Sequence, residues 1–123
     1  MTTTQPNTGT TEYLICDARH PLVSGVKLLD EFILYNLDKA ARQEVCAQYK
    51  SFTGNTIGTD SRTEVLSGGQ KVLLMLLLAM YSPAPKLCFI GLERGLDMEI
   101  RLKVRSLLDS QAQKKVLFLE EEK

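Results

Sequence analysis

Ser67 precedes two glycines and a glutamine, and the run Leu66-Ser67-Gly68-Gly69-Gln70 leads into an apolar stretch at 72–81. Serine at that place caps a helix, and glycines in the first turn leave the backbone bare. A helix start of this kind holds N–H groups with no intrahelical acceptor at the positive end of the helix dipole, where an anion such as phosphate is stabilised. The same residues also make a tight turn into a well-capped buried helix, so the pattern serves structure as well as chemistry. Ser67 is not a hydrolase nucleophile, because Val65 stands where G-x-S-x-G needs glycine. Asp17, Arg19 and His20 cluster after a short apolar run, and a lone histidine near an aspartate reads as a hydrogen-bonded loop residue rather than a catalyst. Cys16, Cys46 and Cys88 are far apart with no C-x-x-C pair and only one histidine in the chain, which gives neither a zinc set nor a disulfide framework and fits a reducing cytoplasm. The residues thus supply a phosphate-like turn but no catalytic group and no metal site.

The elements that must position this turn follow from hydrophobic period and from turn residues. Tyr13-Leu14-Ile15-Cys16 reads as a short buried strand, followed by a loop punctuated by Pro21 and Gly25. Leu28, Leu29, Phe32, Ile33 and Leu37 give a helix over 26–37, and Asp38 caps a second carrying Ala41, Val45 and Tyr49 on one face. Residues 51–64, rich in Gly, Thr, Asp and Ser without a hydrophobic period, read as an exposed polar loop. Ser67 then caps a helix to Tyr81 with Met75 and Met80 in its core face, and Pro83 and Pro85 end it. Leu87-Cys88-Phe89-Ile90 reads as a fully buried strand, Ile90 included. Asp97 caps a helix with Ile100, Val104, Leu107 and Leu108 on one face, and Val116-Leu117-Phe118-Leu119 reads as a second buried strand. Two buried strands joined across such a helix form a parallel βαβ crossover, so residues 12–123 are expected to be one α/β domain of parallel strands covered by helices, preceded by a flexible tail at 1–11.

The run 66–97 resembles the signature helix, Walker B strand and D-loop of an ABC-type ATPase. Leu66-Ser67-Gly68-Gly69-Gln70 matches the signature pentapeptide, Pro85-Lys86 precedes the apolar strand, and Gly95-Leu96-Asp97 is similar to a D-loop. Lys71 and the aliphatic helix are more similar to the soluble SMC- and RecF-like ATPases than to transporter subunits. The resemblance covers the second half of the chain. It implies part of a P-loop-NTPase-like layer, in which Ser67, Gly68, Gly69 and Gln70 meet the γ-phosphate of ATP held by another subunit and Gly95, Leu96 and Asp97 line the subunit interface.

Three departures bear on activity. No G-x-x-x-x-G-K-[ST] occurs, since the chain has no Gly-Lys step and 54–58 lacks both the lysine and the helix that a phosphate cradle needs. The end of the Walker B-like strand, where an aspartate for Mg²⁺ and a glutamate for water belong, holds Ile90 and Gly91, or Gly91 and Leu92, according to the alignment. A one-residue slip offers Glu93, which otherwise reads as a solvated loop charge. The histidine that follows the last strand in the family is replaced by Glu120 and Glu121.

The implied function is that of a non-catalytic binding or regulatory partner, a pseudo-ATPase that binds no cofactor alone and meets ATP and Mg²⁺ on a partner. That partner is another ATPase subunit or a second copy of the chain. The alternatives are an active subunit of a split ATPase, whose Walker A site comes from another chain, and a purely structural oligomerisation domain. Composition narrows the field further. With 123 residues, 44% hydrophobic and 24% charged, the chain has a globular composition. Fifteen Lys and Arg balance fifteen Asp and Glu, so direct nucleic-acid contact is not expected. The apolar run at 72–81 spans about 10 residues where a bilayer crossing needs roughly 20, so membrane insertion is not expected either. The threonine-rich start has neither a basic nor an apolar segment, so a cytoplasmic location is expected.

Overall fold

The computed structural model describes residues 12–23, 26–111 and 113–120. The expected tail, Gly25 and Glu121 lie outside these. Among the described residues the chain runs β1 (Leu14–Asp17), α1 (Leu28–Leu34), α2 (Lys39–Thr53), α3 (Gly68–Tyr81), β2 (Lys86–Ile90), α4 (Met98–Asp109) and β3 (Lys115–Leu119), with 3-10 turns at Thr63–Val65 and Leu92–Arg94. The three strands form one parallel sheet in the order β1-β2-β3. An α/β fold with a parallel sheet and a β2-α4-β3 crossover is therefore present, and β1, whose pairing the sequence leaves open, lies against β2.

Register divides the sheet into two unlike faces. Leu14 pairs with Leu87 and Leu87 with Val116, while Cys16 pairs with Phe89 and Phe89 with Phe118. Alternation along each strand puts these six residues on one face and Ile15, Cys88, Ile90, Leu117 and Leu119 on the other. Leu87, Phe89 and Cys16 belong to the hydrophobic core, against which Leu14 and Val116 pack. Helix α3 is the centre of that core, with every residue from Val72 to Met80 buried, and Phe32, Val45, Tyr49, Val104 and Leu108 close around it.

Four expectations are corrected. β3 is not buried: Leu117, Phe118 and Leu119 are 41%, 37% and 50% exposed. An apolar strand reads the same from sequence whether it is central or marginal, and among the described residues β3 has one neighbour in the sheet. Ile90 is half-buried: it ends β2 on the face opposite the core cluster, whereas Cys88 on the same face, in the middle of the strand, is buried. α1 stops at Leu34, where the chain turns at Asn36 with φ 58°, and Ile33, expected on the buried face, is exposed while Glu31 is buried there instead. The segment 51–64 is not simply an exposed loop. α2 continues through Thr53 to a left-handed Gly54, and Thr63 is buried. The Leu28 and Leu29 N–H groups donate to Ser61 O and Thr59 O, both at 3.0 Å, and Lys27 bridges Arg62. The loop carbonyls take the donors that α1 leaves open, since Lys27 at its N-cap makes no side-chain cap.

Candidate functional site at the start of α3

Ser67 and Gln70 form a reciprocal capping box. Ser67 Oγ accepts from the Gln70 N–H at 3.2 Å, and Gln70 Oε1 accepts from the Ser67 N–H at 2.9 Å. Both side chains that the sequence singles out are therefore engaged with each other's backbone. Gly68 and Gly69 occupy the first helical positions, whose N–H groups have no intrahelical acceptor.

The two glycines are not equivalent. A Cβ on Gly69 would stand 2.7 Å from the carbonyl oxygen of Gly95, so Gly69 is glycine because the backbone of the 92–97 turn lies against it. A Cβ on Gly68 would meet nothing within 4 Å. Gly68 is exposed, and packing within the chain gives no reason for it to lack a side chain. Gly95 is itself packed on Val72 of α3, since a Cβ there would fall 2.6 Å from Val72 Cγ2.

These contacts bring Ser67-Gly68-Gly69-Gln70 together with Gly95-Leu96-Asp97. Leu96 is buried, and Asp97 Oδ1 accepts the Ile100 N–H at 2.9 Å as the N-cap of α4. Gly91, at the end of β2, has φ 73° and donates to Leu119 O at 2.9 Å. That left-handed conformation favours glycine. Leu92 is buried and Glu93 is exposed on the 3-10 turn, where it lines a groove with Arg101 and Arg105.

Asp17, at the end of β1 and opposite Ile90, is held by Arg19. Arg19 Nη2 donates to Asp17 Oδ2 at 2.6 Å, Nε contacts both carboxylate oxygens, and the Arg19 N–H donates to Oδ1 at 2.9 Å. The Arg19 side-chain hydrogen bonds, with its backbone bond next, lower the Asp17 pKa to about 2. The His20 N–H donates to Asp17 O at 2.9 Å, so the cluster closes a turn. Burial raises the Cys16 thiol to about 11 and also pushes Cys88 upward, which makes both poor nucleophiles. Among the described residues no three His, Cys, Asp or Glu side chains gather into a metal site, and no helix is long and apolar enough to cross a membrane.

Sequence reasoning missed two features. Glu31 is fully buried in α1 and accepts the Val23 N–H at 2.9 Å, which its position among leucines and phenylalanine does not signal. A groove of about 780 Å³ runs between α4 and the end of β3, floored by Phe89 and Phe118, with Arg105 lying 4.4 Å over the Phe118 ring. The chain matches no protein-family model, and no characterised protein matches it at a significant level.

Proposed function

We propose that the chain is a non-catalytic relative of ABC-type ATPases that offers the Ser67 turn to a nucleotide held by another subunit. The observation that supports this reading is the seat of Gly69 on Gly95, which keeps the signature-like turn and the D-loop-like segment together as one surface. Gly68 adds to it, being a bare first-turn residue beside open N–H groups with clear space above. On this reading ATP and Mg²⁺ belong to the partner, the turn supplies donors to the terminal phosphate, and no group of this chain performs chemistry. Ile90, Gly91 and Leu92 offer no carboxylate for a metal or for water.

Affinity capture from host extract with ATP, ADP or no nucleotide tests the proposal, using wild type and Gly68→Glu. A P-loop-bearing partner retained with ATP alone and lost with Gly68→Glu is expected. If the purified pair hydrolyses ATP and Gly68→Glu stops it, the split-ATPase reading replaces this one. Capture indifferent to nucleotide and to Gly68→Glu overturns both. The structural reading, an oligomerisation domain, draws support from the exposed apolar edge of β3.

A further inference from the structure

We draw no further inference here: the strongest candidate, the apolar groove between α4 and β3 with exposed Met98, Leu102, Phe118 and Leu119 along it, carries none because nothing in the structure shows what covers it.

Discussion

The carbonyl oxygen of Gly95 lies where a side chain on Gly69 would begin, 2.7 Å from an ideal Cβ. Gly95 in turn rests on Val72, about one turn beyond Gly69 along α3. The glycine of the turn and the glycine of the distant loop are thus two halves of one packing contact. Gly69→Ala is expected to destabilise the fold by about 1–3 kcal/mol, since backbone must shift to admit the methyl group. Gly68→Ala is expected to stabilise it by about 0.4–1 kcal/mol, because nothing opposes the Cβ and the unfolded chain loses freedom. Urea unfolding of the two variants checks both signs, and equal effects would contradict the packing account.

The capping box makes a second expectation. Ser67→Ala removes an acceptor from the Gln70 N–H and should cost about 1 kcal/mol, and Asp97→Ala should cost a similar amount at the start of α4. Gln70→Ala frees only the Ser67 N–H, which solvent can reach, so its cost should be smaller. Thermal melts with a shift of several degrees for the first two and less for the third would agree.

Local chemistry explains what was legible in the sequence. Ser67, Asp38 and Asp97 announce their helices because a cap needs only neighbours in the chain, and all three accept a first-turn N–H. The apolar stretch at 72–80 could only be core. Sheet position could not be read from composition: Leu87-Cys88-Phe89 and Leu117-Phe118-Leu119 are equally apolar, yet the first is buried in the centre and the second is an edge. At the candidate site, the residues of the turn were visible in sequence. The reason for Gly69 was not, since it rests on a contact with a residue 26 positions away. The buried Thr63 was hidden in the same way, by bonds between the 59–63 backbone and the start of α1.

Asp17 gives a pH dependence with a definite sign. Its folded pKa of about 2 lies below the ordinary 3.8, so its stabilisation is fully present above the unfolded value and is lost as pH falls through about 2. Arg19 is 46% exposed, so the pair is screened and is worth about 0.2–1 kcal/mol. Asp17→Asn should therefore be slightly less stable than wild type at neutral pH, the gap shrinking as pH falls and closing below a pH of about 2. Denaturant titrations across that window would detect a gap that fails to close.

Ile90 faces Asp17 across the β1–β2 pair on the open face of the sheet. Ile90→Asp is expected to lower the thermal midpoint chiefly by setting two carboxylates opposite each other, with a smaller contribution from burial. Adding Asp17→Asn should recover part of the loss. A double variant as unstable as the sum of the two would place the cost in burial instead.

The proposal that the Ser67 turn meets a nucleotide on another subunit is tested most directly by Gly68→Glu. A Cβ at this position meets nothing within 4 Å, and the substitution puts a carboxylate at the positive end of α3, which favours the fold while blocking the space a phosphate would take. Isothermal titration with the partner recovered by ATP-dependent capture is predicted to give Mg·ATP-dependent binding for wild type and none for Gly68→Glu. The variant's thermal midpoint should be unchanged or raised, and neither chain should release phosphate alone. Equal affinity for both chains, or affinity independent of nucleotide, would contradict the account.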